Sequence, residues 1–164
     1  MTVAIALPPG LTIRRYEPGD SDAVWELHRE GVVKITPDVS QAMPGYDDDL
    51  KNIAGVYLAE GCNFWVVEGP NGLVGMAAIM RIDAETGRLR RMRVTEAWRR
   101  KGVAQALLDT ATQFCRDAGY RRLILDTTEQ QTAAHALYER AGFVRTGERT
   151  LGPFRVFDYV KDLH

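Results

Sequence analysis

Apolar and polar residues alternate over Leu11-Thr12-Ile13-Arg14-Arg15-Tyr16, the pattern of an edge strand, and Pro18-Gly19-Asp20 breaks it before a helical stretch carrying Val24, Leu27 and Val32. Residues Pro37 to Gly45 read as loop. Asp47-Asp48-Asp49 then opens a second helix, expected over Asp47 to Ala59, where acidic side chains suit the positive end of the helix dipole. Phe64-Trp65-Val66-Val67-Glu68 and Leu73 to Ile82 are strand-like runs joined by Gly69-Pro70-Asn71-Gly72, a hairpin turn signal.

A third run, Leu89 to Thr95, precedes a helix over about Gly102 to Ala118. Its apolar set Ala104, Leu107, Leu108, Ala111, Cys115 and Ala118 keeps helical period, and Gly119 stands where a terminating glycine would. Leu123-Ile124-Leu125 reads as a short buried strand, Gln130 to Arg140 as a helix stopped by Gly142, and the segments around Phe143 and from Phe154 to Val160 as two closing strands. The order expected is β α α β β β α β α β β. There is no internal repeat, and Pro8-Pro9-Gly10 punctuates a short arm, residues 1–10, ahead of the regular structure.

A length of 164 residues with 45% hydrophobic content suits a single domain, 1–164, with a packed core. Lys and Arg total 21 against 22 Asp and Glu, so the overall balance asks for no nucleic acid and no membrane surface as partner. The chain has no apolar run of about 20 residues, and its opening seven lack the positive flank of a signal peptide, which sets the expectation of a cytoplasmic protein. Cys62 and Cys115 have no second thiol or histidine at ligand spacing; no metal is expected, and both read as small buried hydrophobes.

Against this neutral background one segment is locally basic. From Arg88 to Lys101 there are seven cations and one carboxylate, Glu96. Within it, Arg99-Arg100-Lys101-Gly102-Val103-Ala104 joins a strand to a helix and holds no Ser, Thr, Asp or Asn to cap that helix. Uncapped N–H groups, a glycine allowing close backbone approach and adjacent cations together favour a phosphate or pyrophosphate.

The same residues resemble the phosphate loop of the Gcn5-related N-acetyltransferases: Arg or Gln, two residues, Gly, one residue, then Gly or Ala, met here by Arg99, Gly102 and Ala104. A second stretch, Ala134 to Phe143, resembles the family's Ala, three residues, Tyr, then Gly-Phe. The resemblance follows element order from Leu11 to Val160 and is specific over Leu89 to Phe143.

This resemblance implies an α/β (α+β) fold: a mixed, mostly antiparallel sheet of about seven strands with helices on both faces. It also implies a splayed central pair where Met92 to Val94 runs beside Leu123 to Thr127. The function implied is transfer of the acetyl group of acetyl-CoA to a primary amine of a small molecule or peptide, by direct attack in a ternary complex and without a metal. Main-chain groups of Met92, Arg93 and Val94 would face the pantetheine arm, residues Arg99, Arg100, Lys101, Gly102, Val103 and Ala104 the pyrophosphate, and Gln131 the cofactor in place of a common asparagine. Thr128-Glu129-Gln130-Gln131 also reads as a capping box that would use Gln131 locally.

Tyr138 stands where the family often places a general acid for the leaving thiolate, and a phenol is protonated at neutral pH. The strand-borne glutamate that some relatives use as base is replaced here by arginines. Asp126, Glu129 and His135 are candidates, with the base left unassigned. Asp38, Tyr46 and Asp47 to Asp49 lie where the family builds its acceptor wall; acid there would attract a cationic amine, although aspartates at a helix start need no ligand. A silent acetyl-CoA-binding sensor is the alternative function. A nucleotide kinase ranks last, lacking Gly-x-x-x-x-Gly-Lys-Ser/Thr, and the arginine cluster lacks the interleaved aromatics of a nucleic-acid binder. The resemblance leaves a homodimer open.

Overall fold

The structure, a computed structural model, describes residues 7–35 and 45–164. The chain runs through β1 (Thr12–Arg15), α1 (Ser21–Ile35), a 3-10 turn (Asp48–Asn52), α2 (Ile53–Tyr57), β2 (Asn63–Gly69), β3 (Gly72–Asp83) and β4 (Thr86–Val94). It continues through α3 (Val103–Asp117), β5 (Arg122–Thr128), α4 (Thr132–Arg140), β6 (Val144–Leu151) and β7 (Phe154–Asp162). This is the order expected from the periodicity. The loop expected from Pro37 to Gly45, with Asp38, falls almost entirely outside the described residues, as do residues 1–6 of the N-terminal arm and the Val32 side chain.

Seven strands form one sheet in the order β1-β2-β3-β4-β5-β7-β6. Every neighbouring pair is antiparallel except β4 and β5, which are parallel and pair only at Thr86 with Arg122, Gly87 with Leu123 and Arg88 with Ile124. Beyond Arg88 the strands part. The splay therefore begins below Met92, and Leu123 and Ile124 belong to the paired part rather than to the opening.

Two local features set this geometry. At the junction Gly87 allows α3 to close on the sheet, because a Cβ there would stand 3.1 Å from Cys115 Sγ and 3.0 Å from the Tyr120 ring. Further along, the β3–β4 register slips between Met76 and Ala78, and Arg91 takes φ 59°, a left-handed conformation that costs a non-glycine residue about 1–2 kcal/mol. The bulge lies in the part of β4 that no longer pairs with β5.

Alternation along β2 and β3 divides the core between the two faces. Trp65, Val67, Ala77 and Ile79 pack with Leu107, Leu108, Ala111 and Cys115 of α3 and with Tyr138 of α4. Val66, Met76 and Ala78 pack with Val24 and Leu27 of α1 and Ile53 and Tyr57 of α2. Helices thus cover both faces, as expected. Ala104 and Ala118 complete the apolar period of α3 but are not buried; Ala104 borders a cavity instead.

The continuous helix expected over Asp47 to Ala59 is corrected to a 3-10 turn followed by a five-residue helix. Asn52 interrupts it: its side chain accepts the Gly55 N–H at 3.1 Å and caps α2, the competition with helix hydrogen bonding for which asparagine is known. β4 starts at Thr86, three residues before the apolar run that signalled it, and β5 extends to Thr128. Gly119 and Gly142 follow α3 and α4 with φ of 84° and 96°, as terminating glycines do.

Candidate active site

The parting of β4 and β5 leaves a cavity of about 680 Å³ that extends from the start of α3 to α1. Of the residues singled out in the sequence, Met92, Arg93, Val94, Arg99, Arg100, Gly102, Val103, Ala104, Gln131 and Tyr138 line it. Lys101 does not: its Nζ sits 5.0 Å from the centre of the Trp98 ring, a cation–π contact on the loop itself.

At one end of the cavity Gly102 is the N-cap of α3, with φ 85° and no capping side chain, so the first N–H groups of the helix face the opening without a side-chain acceptor. A Cβ at Gly102 would meet nothing within 4 Å; the glycine serves conformation and access rather than packing. Arg100 also adopts a left-handed φ of 60°, and Arg99 Nε donates to the Val94 carbonyl at 3.1 Å, tying the loop to the end of β4. An uncapped N-terminus flanked by Arg99 and Arg100 fits a pyrophosphate, and the unpaired edges of β4 and β5 fit an extended amide-bearing arm.

Deeper in, Tyr138 of α4 is buried against Phe143, with ring centres 5.7 Å apart, and its hydroxyl makes no hydrogen bond among the described residues. Burial pushes its pKa up to about 12, against a smaller downward pull from Arg93. Gln131 lines the cavity, but its Oε1 accepts from Thr127 Oγ1 at 2.7 Å and from the Thr128 N–H at 3.2 Å. Gln131 is thus used locally, but the expected capping box does not form: α4 starts at Thr132 with Gln131 as its N-cap, and Thr128 Oγ1 has no hydrogen-bond partner among the described residues. The Gln131 amide NH2 is left for a ligand.

The base candidates named from sequence are all engaged elsewhere. Asp126 pairs with Arg88 at 2.5 Å and with Arg149; Glu129 is 3.5 Å from Arg155; His135 Nε2 donates to the Thr128 carbonyl at 2.8 Å. The basic run on β4 is likewise largely neutralised. Arg91 donates to Asp49 through Nε at 2.9 Å and through Nη2, and to Asp47 at 3.2 Å, while Arg90 lies 3.6 Å from Asp49. Asp47 and Asp49 are therefore buried counter-ions rather than bait for a cationic acceptor, which corrects the sequence expectation. Only Asp48 is exposed, paired with Lys51.

Sequence reasoning missed His28. It is buried on α1, lines the cavity and lies with Nε2 3.1 Å from Asp47; among the described residues its Nδ1 has no hydrogen-bond partner. Burial lowers its pKa, opposed by Asp47 and assisted by Arg91 and Arg93, so the ring is neutral near pH 7. A lone histidine on a helix gives no signal in sequence. Its partner Asp47 comes from a segment whose position only the tertiary fold fixes. Among the described residues no cluster of three or more His, Cys, Asp or Glu side chains is placed to hold a metal ion.

The sheet opens between two parallel strands, with uncapped helix amides at one end of the opening and the buried phenol of Tyr138 along its wall. The chain belongs to the acetyltransferase (GNAT) family, whose sequence profile matches residues 23–143. It is 42% identical over 106 residues to human N-acetyltransferase 8, covering 61% of this chain and 47% of that protein. To the N-acetylaspartate synthetase of Danio rerio it is 40% identical over 102 residues, covering 61% of this chain and 36% of that one. The chain thus spans about half or less of the curated relatives it matches. In fold it is similar to an acetyltransferase from Streptococcus agalactiae, with TM-score 0.83 and 24% identity over 94% of this chain and 99% of that one. The ribosomal-protein-S18-alanine N-acetyltransferase of Escherichia coli aligns at TM-score 0.70 and 19% identity, over 93% and 94% of the two chains.

Proposed function

We propose that this member of the family uses acetyl-CoA to acetylate a primary amine of a small molecule or peptide, by direct attack within a ternary complex. The observation that carries the reading is the continuity of one cavity from the uncapped start of α3, along the unpaired edge of β4, to the free hydroxyl of Tyr138. Acetyl-CoA supplies an activated acyl group as a thioester. The chain's own residues do the rest.

The N-terminus of α3 with Arg99 and Arg100 holds the pyrophosphate, and the main chain of Met92 to Val94 orients the arm, so that the acyl carbon meets the amine in one fixed geometry. As the C–N bond forms and the C–S bond breaks, the amine loses a proton and the thiolate needs one. Tyr138 stays protonated at neutral pH and is free to donate to the sulfur.

A sensor that binds acetyl-CoA without turnover would not require an unpartnered phenol here. The names of similar proteins point to acceptors as different as aspartate and a ribosomal protein's alanine. The test is acetyl-CoA-dependent release of CoA thiol across amines, amino acids and peptides, with a no-acceptor blank. Release with one acceptor class supports the transferase. Silence across the panel with acetyl-CoA still bound supports the sensor.

A further inference from the structure

The face of β4 that meets α1 and the 3-10 turn brings three guanidinium groups, Arg90, Arg91 and Arg93, to two carboxylates, Asp47 and Asp49. With His28 neutral, one positive charge is left over among the described residues of this face, and the geometry shows which. Arg91 takes both carboxylates and the Tyr46 carbonyl at 2.8 Å, and Arg90 shares Asp49.

Arg93 has neither. Among the described residues its one hydrogen bond is from Nη1 to the Met92 carbonyl at 3.1 Å, and its enclosed Nε has no hydrogen-bond partner. No carboxylate among the described residues lies in ion-pair contact with it. A guanidinium cannot shed its proton to relieve burial, so a charge with no carboxylate partner among the described residues favours an incoming anion.

The side chain is also well placed. Arg93 lines the cavity, is flanked in sequence by the main chain expected to orient the acyl arm, and acts electrostatically on both Tyr138 and His28. A single excess charge matches a monoanion. A dianionic phosphate would carry more charge than this one unpaired guanidinium offers at this end of the cavity.

We propose that Arg93 binds the carboxylate of the acceptor, so that the amine substrate is a free amino acid rather than a polyamine or neutral amine. The planar fork of Arg93 receives the carboxylate and leaves the amine of the same small molecule near Tyr138. This names the acceptor class within the transferase reading and rests on it.

The experiment is calorimetric titration of the full chain, saturated with CoA, with each of the twenty free amino acids, the amide of each that binds, and spermidine. It needs no turnover, so failure of the transferase reading shows separately as an absence of thiol release. The expected result is that at least one amino acid binds, its amide binds at least about tenfold more weakly, and Arg93→Met removes the difference. Arg93→Met, titrated at a CoA concentration that saturates it, should keep a melting temperature no lower than wild type, which establishes that the variant is folded; Arg93→Lys, equally folded, should retain part of the discrimination. Equal binding of acid and amide, discrimination that survives in both variants, preference for spermidine, or binding of none of the twenty would overturn the proposal.

Discussion

Arg91 Nε lies 2.9 Å from Asp49 Oδ2, joining residues 42 positions apart and fastening the bulge of β4 to the 3-10 turn beneath α1. Both side chains are buried, Tyr57 adds its hydroxyl to the same carboxylate, and Asp47 completes the shell around the guanidinium. The left-handed φ of Arg91 is an unfavourable conformation held in place by these contacts.

Removing one partner leaves the other charged and enclosed. Arg91→Met should therefore lower unfolding free energy by about 3–5 kcal/mol in chemical denaturation. Arg93→Met, two residues along the same strand, should show no such loss, because its charge has no ion-pair partner among the described residues to strand.

Acid should weaken the fold in two stages. Burial holds His28 below its ordinary 6.5, so the unfolded chain takes up a proton there before the native one, and the stability it contributes above pH 6.5 is lost as pH falls. Burial works against ionisation of Asp49, but Arg91 outweighs it and holds that carboxyl below its ordinary 3.8; its contribution persists above 3.8 and goes as pH falls through the native value. Melting temperature should decline below pH 6.5 and fall further below 3.8, and His28→Gln should flatten the first stage alone. A flat profile from pH 6.5 to 4.5 in the unmodified protein would contradict the role of His28.

Gly102→Glu combines a strained left-handed backbone with a carboxylate beside the expected pyrophosphate. Acetyl-CoA affinity should drop by at least about tenfold while far-ultraviolet dichroism stays native. Unchanged affinity would displace the pyrophosphate from this loop.

Tyr138→Phe keeps the ring packed on Phe143 and removes only the hydroxyl. Turnover should fall by about a hundredfold or more with acetyl-CoA affinity unchanged, the signature of a group needed in the transition state. Equal turnover would reduce Tyr138 to packing.

The strands and helices were legible in sequence because their cues are local: alternation in β2 and β3, the 3.6-residue period of α3, and the glycines that end α3 and α4. The loop at 99–104 was legible for a similar reason, since missing caps and clustered cations are visible without a fold. The fate of the arginines was not. Arg90, Arg91 and Arg93 look equivalent in sequence, and only the bulge at Arg91 and the return of Asp47 and Asp49 from forty-odd residues upstream separate the two neutralised groups from the free one. His28 escaped notice on the same grounds.

The three-residue contact between β4 and β5 also bears on how the chain assembles. The hairpins β2–β3, β3–β4 and β6–β7 each close across two residues, whereas β4 and β5 are linked by the long crossover through α3. Loop-closure entropy favours the hairpins early and leaves the parallel junction for late in folding. The ligand opening therefore coincides with the seam at which the two leaves of the sheet meet, where the chain has the fewest bonds to break in order to move.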